Sequence, residues 1–374
     1  MNVSMKLKRG SMKILLIVYE DTNNEARSQE MIEVCTKLGD TTIVTYCTNQ
    51  KYANDATFLI SKKKKNGKRK YAAFYFLAKK TIKKNKYDLV VLHDNYTAPL
   101  IKYIRRKNKN TKLIFDSSEL YIKSKPNNFK SFLAKYFEFS EKKNLKKCDL
   151  VIAANQERAS IMVGYYKLPQ IPLIFDNIHR IDDEYDREVV LQKYDNVLKM
   201  KKMIIYAGGI SETRKTYELA EAVGELGMPY NLVVIGVATK EQVTKFNKLK
   251  EKFDNIHYLG FIPRPEFKFL LEHAYISVSM FALNTINNIN CASGKVYESL
   301  FVGVPILTGP NPPLKRLCEE YKVGVSTDDI KEGIFLLDNN IDKYRKNVTH
   351  YIEKIDYEKR IDNLCGAINE LIKK

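Results

Sequence analysis

Short, almost uninterrupted apolar runs recur along this chain, and between them lie stretches whose apolar residues return at helical spacing. Residues 13–19 (KILLIVY) are the first run; Met31, Val34, Cys35 and Leu38 then share one helical face that ends at Gly39, and 41–46 are the second run. A strand that is apolar along its whole length is buried on both faces, and two such strands joined through a helix run parallel. The alternation continues at 87–94 (YDLVVLHD), 112–115, 148–154 (CDLVIAA) and 171–175. It begins afresh at 203–209 (MIIYAGG), 232–236 (LVVIG), 257–264 and 276–280. With 374 residues the chain is long enough for two cores. The expected fold is α/β with two Rossmann-like domains. Residues 181–202 are charged and carry no strand, so they read as a linker, and the expected domains are 1–180 and 181–354. Within that linker Asp183, Glu184 and Asp186 have no preceding strand to fix them as metal ligands. Phe129, Phe132, Leu133, Tyr136 and Phe137 form a series that reads as a core-facing helix stripe.

Ligands of parallel sheets gather beyond the carboxyl ends of the strands. In the first half His93 and Asp94 end one strand, and Asp116, Ser117, Ser118 and Glu119 end the next, so polar groups converge on one rim. His93 by itself suits a hydrogen-bonded structural role and a catalytic or substrate-binding role equally. In the second half Gly208 and Gly209 follow a strand and let backbone approach a phosphate, with Arg214 and Lys215 opening the helix expected over 216–226. Residues 287–310 (NNINCASGKVYESLFVGVPILTGP) read as a loop, a helix opened by Ser293 and Gly294 and closed at Gly303, and a buried strand over 304–307. A helix N-terminus beside Lys295 is a site for phosphate. Glu298 lies three residues on, on the same face, where its carboxylate can accept hydrogen bonds from hydroxyls carried by that phosphate. The implied ligand is a sugar nucleotide.

The net charge of +19 calls for an anionic partner. No nucleic-acid recognition motif accompanies the charge, so nucleic acid is not the expected partner. The basic run 62–70 (KKKKNGKRK) leads into a helix with Phe74, Leu77, Ala78 and Ile82 on one stripe. Such a helix reads either as a surface helix with a solvated basic edge or as a peripheral contact with an anionic membrane, and both readings stay open. No apolar run approaches the ~20 residues of a membrane span, and residues 1–10 lack the apolar segment of a signal peptide. Cys35, Cys47, Cys148, Cys291, Cys318 and Cys365 show no paired metal-ligand spacing and read as free thiols of a reducing cytoplasm.

Taken in order, YAGGISETRK, LVVIG, IHYLGFIP and ASGKVYESLFVGVPIL resemble the nucleotide-sugar-dependent glycosyltransferases of the GT-B fold, most closely glycosyltransferase family 4. In the first half IFDSSELY is similar to the D-x-H-E-L segment of that family, CDLVIAANQE to its final N-domain strand and helix, and LIFDN to its crossover strand. The resemblance implies two Rossmann-like domains flanking a donor/acceptor cleft, with a C-terminal helix of about residues 355–374 returning to the first domain. It implies an NDP-sugar co-substrate, retention at the anomeric carbon, and no metal or other cofactor. On the donor side it implies roles for Gly209, Arg214, Lys215, Ile262, Asn290, Ser293, Gly294, Lys295 and Glu298, and for the backbone at Phe261. The acceptor, a saccharide or a lipid-linked one at the inner face of the membrane in a cell-surface polysaccharide or glycolipid pathway, would meet Asp94, Ser118 and Glu119. Glu298 and His93 are the expected catalytic groups. Two positions depart from the family pattern: Asn290 stands where the first acid of E-x7-E is usual, and Ser118 stands where the histidine is usual. His93, one strand earlier, is the group that would supply an imidazole instead. Two other functions remain open, a catalytically silent sugar-nucleotide-binding subunit and a GT-B nucleotide-sugar epimerase.

Overall fold

The computed structural model describes residues 12–23, 25–48, 56–62, 67–122 and 130–373. The lead-in 1–10, residues 63–66 of the basic run and Phe129 lie outside them. The chain divides into two units, Met1–Asn177 with Asp356–Lys374, and Ile178–Ile355.

The first unit is built on β1 (Lys13–Val18), β2 (Asp40–Thr45), β3 (Ala56–Ile60), β4 (Leu89–His93), β5 (Lys112–Ser117), β6 (Leu150–Ala153) and β7 (Leu173–Ile174). They pair in parallel in the order β3-β2-β1-β4-β5-β6-β7. Ile14 to Val18 are fully buried, as expected for a central strand covered on both faces. The helix Ala26–Leu38 lies on one face, and Met31, Val34 and Cys35 share a core cluster with Ile361, Leu364 and Ile368 of the last helix, Tyr357–Lys373. Residues 341–373 therefore hold two helices that serve different cores. The earlier one, Ile341–Glu353, buries Val348 in the second unit.

Several expectations are corrected. The edge strand β3 (ATFLI) carries no strong apolar run, and its residues are partly exposed. Ladder hydrogen bonds with β2 rather than burial make it a strand. The run 171–175 contributes only Leu173–Ile174 to the sheet. The stripe on the helix Lys130–Asn144 does not face a core: Phe137 is buried, but Phe132 is 73% exposed and Tyr136 is 45% exposed. Spacing shows which residues share a helix face, and it cannot show whether anything covers that face.

The second unit repeats the plan with β8 (Met203–Ala207), β9 (Asn231–Ile235), β10 (Ile256–Gly260), β11 (Ile276–Ser279), β12 (Ile306–Thr308) and β13 (Gly324–Ser326). Their order is β10-β9-β8-β11-β12-β13, again all parallel. β12 starts later than 304 because Pro305 has no N–H to enter a ladder. The expected linker is instead part of this unit. Asp186 accepts hydrogen bonds from the N–H groups of Glu188 and Val189 and so caps the helix Arg187–Leu198, which seats Val190, Tyr194 and Val197 in the core. That i, i+4, i+7 set is diluted by charges in the sequence.

Gly236, directly after β9, has φ of 150°, and a Cβ there would lie 2.0 Å from the carbonyl oxygen of Gly208. The two loops beyond β8 and β9 touch backbone to backbone. Gly236→Ala is expected to destabilise the second unit by roughly 2 kcal/mol or more, read as a lowered urea midpoint.

Candidate functional site

Both sheets reverse strand order about their first strand, between β1 and β4 and between β8 and β11. Such a switch point opens a crevice at the carboxyl ends of the strands. Each unit places polar groups there.

In the second unit Gly208 and Gly209 leave β8, and the amide of Gly208 donates to Ile235 O at 2.8 Å. The next turn, Glu212–Arg214, is held to the loop beyond β11 by Ala282 N–H donating to Thr213 O at 2.9 Å. Arg214 is exposed, and its guanidinium stacks 4.3 Å over the Phe281 ring. Lys215 is aimed elsewhere: its ammonium lies 3.3 Å from Asp328 and 3.6 Å from Glu218. Of the two expected cations, Arg214 is the one presented beside the β11 loop.

A short helix, Ile286–Ile289, occupies the start of the expected loop, and the helix Gly294–Phe301 follows. No side chain caps the first turn of the latter, because the Ser293 hydroxyl hydrogen-bonds to the Ser279 hydroxyl at 3.2 Å. Val296 N–H donates to Ser293 O at 3.3 Å, and the amides of Gly294 and Lys295 are left to water or an anion. A Cβ on Gly294 would fall 2.2 Å from Cδ2 of His179, so that imidazole lies directly against the helix start. Glu298 is 3% exposed and is clamped by two cations: Lys295 Nζ donates to Oε2 at 2.7 Å, and Arg264 Nη1 donates to Oε1 at 3.0 Å. Arg264 also donates to Asp183 at 3.1 Å. Asn290 is buried and donates its amide to Ile286 O at 2.9 Å, closing its own short helix. Ile262 is buried and Phe261 exposed at the turn after β10. His179, Asp183 and Arg264 are missing from the sequence-derived set. Arg264 alone carried a signal, as a cation opening a helix just beyond LGFIP.

The first unit collects carboxylates. Asp116 is wholly buried and is met by Arg27, whose Nε donates to Oδ2 at 3.1 Å and whose Nη2 donates to Oδ1 at 2.6 Å. Oδ2 also pairs with His93 Nδ1 at 2.8 Å. Asp94 has φ of 56°, unusual for a residue with a side chain. Its carboxylate accepts from the amides of Ser118 (2.8 Å) and Glu119 (3.2 Å) and from the Ser118 hydroxyl (2.6 Å). Ser118 therefore orients Asp94, a use of the hydroxyl where the resembling family has an imidazole. Arg158 donates to Ser118 O and to Glu119 Oε2. Glu20, just past β1, places Oε2 3.3 Å from His93 Nε2 and accepts a hydrogen bond from the Ser28 hydroxyl. Glu20, Arg27 and Arg158 were not foreseen. Arg27 reaches a partner 89 positions away, a pairing that no local pattern encodes.

The electrostatics follow. Burial opposes charge on His93, but the carboxylates of Glu20 and Asp94 and the hydrogen bond it donates to Asp116 outweigh it and hold the imidazole well above its ordinary range. For Asp94, burial with the Glu20 charge prevails over His93 and raises the group to about 6. Asp116 stays below the usual carboxylate range, since Arg27 and then His93 overcome its burial.

The first unit also has a pocket of about 300 Å³, reached by Asn95 and walled by Tyr19, Tyr71, Tyr96, Tyr121 and Phe137 with Leu133. The Tyr71 and Phe137 rings meet edge to face at 4.8 Å, joining the helices Gly67–Lys84 and Lys130–Asn144. Both helices leave aromatic rings in solvent, Phe76 on one and Phe132 and Phe139 on the other. Among the described residues no helix is long and apolar enough to cross a membrane.

No family model matches the sequence, and no curated protein matches it. Solved structures do match in three dimensions. HepE of Anabaena, in complex with UDP and glucose, superposes with a TM-score of 0.71 at 12% identity, over 96% of this chain and 100% of that one. The fold is GT-B. WaaG, a glycosyltransferase involved in lipopolysaccharide biosynthesis, gives a TM-score of 0.70 at 14% identity over 95% and 99% of the two chains. Sucrose-phosphate synthase from Thermosynechococcus elongatus gives 0.72 at 12% identity over 97% and 100%. At these identities the likeness is one of GT-B architecture, and the site rests on the residues above.

The His93 ion cluster makes the GT-B first unit's stability depend on pH. A raised native pKa contributes stability that is complete below the unfolded histidine value of about 6.5 and fades as pH rises through the native value. Wild type is therefore expected to exceed His93→Gln in urea stability by most near about pH 6, with the gap narrowing as pH rises. Asp116 acts in the opposite sense, its contribution being lost as acid takes pH down through its lowered native pKa. Parallel urea titrations across pH check both signs.

Proposed function

We propose that this chain is a glycosyltransferase that moves a sugar from an NDP-sugar, with a UDP-sugar as the first candidate, to an acceptor hydroxyl, with retention and with no metal on the donor phosphates. The supporting observation is the cationic crevice of the second unit: Arg214 beside the β11 loop, the uncapped first turn at Gly294, and Lys295 held by a buried Glu298. HepE is solved with UDP and with UDP-glucose, which favours the same nucleotide here. Negative charge develops on the departing diphosphate, and fixed cations and amides stabilise it without reorganising. The Arg264–Glu298–Lys295 chain sets where the Lys295 ammonium sits, and Glu298 keeps lone pairs for a sugar or ribose hydroxyl. On this reading, a UDP-sugar raises the melting temperature by binding the native state. Lys295→Ala and Arg214→Ala are each expected to lower donor turnover roughly 10²-fold, measured as UDP release. Full turnover in both variants overturns the assignment.

A second reading, a silent sugar-nucleotide-binding subunit, draws on Ser118 oriented toward Asp94 and Asn290 turned back on Ile286. It predicts the thermal shift with no UDP release under any acceptor.

For the acceptor we propose a lipid-linked saccharide or glycolipid intermediate of a surface-polysaccharide pathway, met at the inner membrane face. The aromatic pocket and the exposed Phe76, Phe132 and Phe139 among lysines favour it, since aromatic and basic groups together suit an anionic lipid surface. Anionic phospholipid vesicles are expected to sediment the protein, less at high salt, and the Phe132→Ser/Phe139→Ser double variant is expected to lose most of that association.

A further inference from the structure

We infer that Glu20, His93 and Asp94 form a binding site for a divalent first-row transition cation, Zn²⁺ or a close relative. The site lies at the switch point of the first unit and uses none of the donor-binding residues of the second. It goes beyond the transferase reading, which assigns no metal.

The distances carry the assignment. His93 Nε2 lies 3.3 Å from Glu20 Oε2 and 3.8 Å from Asp94 Oδ2, and all three ligand atoms fall within 4.8 Å of one another. A tetrahedral ion with bonds of about 2.0–2.1 Å spaces its ligands about 3.3–3.4 Å apart. Small side-chain rotations bring the three atoms onto one ion. An independent observation points the same way: His93 is 99% buried, yet its Nε2 has no hydrogen-bond partner among the described residues, the approach to Glu20 being close but poorly aligned. Orphaned imidazole nitrogens are costly in a protein interior.

The surroundings are those of a metal ligand set. His93 Nδ1 donates to Asp116, so Nε2 is the nitrogen whose proton an ion would displace, and Arg27 locks Asp116 through two hydrogen bonds. Asp94 is held by the amides of Ser118 and Glu119 and the Ser118 hydroxyl, and Glu20 by Ser28. Glu20 remains partly exposed and supplies the way in. One imidazole and two carboxylates suit Zn²⁺, Fe²⁺ or Mn²⁺ better than Ca²⁺, which takes oxygen ligands in greater number. Three protein ligands leave a position for water or a hydroxyl, whose proton such an ion loosens. Use of that position to hold an acceptor hydroxyl rests on the transferase reading; the site itself does not.

The test is a titration of the full chain, stripped with EDTA and reduced, with Co²⁺ and then Zn²⁺. One equivalent of Co²⁺ is expected to give visible d–d bands of a low-coordinate ion, without a thiolate charge-transfer band, and Zn²⁺ is expected to abolish them. Glu20→Gln keeps the bond to Ser28 and is expected to bind at least ~10-fold more weakly. On wild type, Zn²⁺ is expected to shift the ¹⁵N resonance of His93 Nε2. Absence of the bands, a thiolate band unaffected by Glu20→Gln, or an unmoved His93 resonance at saturating Zn²⁺ each overturns the site. None of these readouts involves a sugar nucleotide, so failure here and failure of the transferase assignment are told apart.

Discussion

Parallel strands cannot be joined by tight turns, so each sheet here is assembled through helical crossovers that return the chain to the same edge. Where successive crossovers change direction, beside β1 and β8, a crevice opens beyond the strand ends. The candidate groups of both units collect there: Glu20, His93 and Asp94 in one, Gly208, Arg214 and the start of the helix Gly294–Phe301 in the other. The same rule that organises the cores also selects where polar side chains escape burial.

The two crevices have opposite electrical character. In the second unit the cations Lys295 and Arg264 hold a single buried carboxylate, Glu298, while Arg214 stands over the Phe281 ring at the β11 loop. That arrangement is suited to a dianionic phosphate. In the first unit Asp94, Asp116 and Glu20 surround one histidine, with Arg27 paired to Asp116. Excess local negative charge is thus held inside a chain whose overall charge is +19. A proton on His93 or a metal ion at its Nε2 relieves that excess, and an extended anionic ligand does not. Net charge describes solubility and long-range attraction, whereas the identity of a ligand is decided within a few ångströms.

Most of the strand and helix order was legible because its signal is local. KILLIVY, LVVIG and MIIYA are apolar throughout, and their burial follows without knowledge of any neighbour. The helix Arg187–Leu198 was hidden because its apolar triplet is interleaved with charges, and β3 because its pairing comes from β2 rather than from its own side chains. On the helix Lys130–Asn144 the spacing revealed an aromatic face, but among the described residues no element covers Phe132 and Phe139.

The site divides along the same line. The sequence by itself determined that Ser293, Gly294, Lys295 and Glu298 share one helix start, because three- and four-residue spacing on a helix is a covalent consequence. It also determined that His93, Asp94, Ser118 and Glu119 lie at strand ends on one rim. Only the tertiary structure decided which partners those groups have: Arg264 on Glu298, Asp328 on Lys215, Ser118 on Asp94, and Arg27 and His93 on Asp116. These pairings join residues from 23 to 113 positions apart. They depend on the register of parallel strands and the docking of crossover helices, which sequence spacing does not contain.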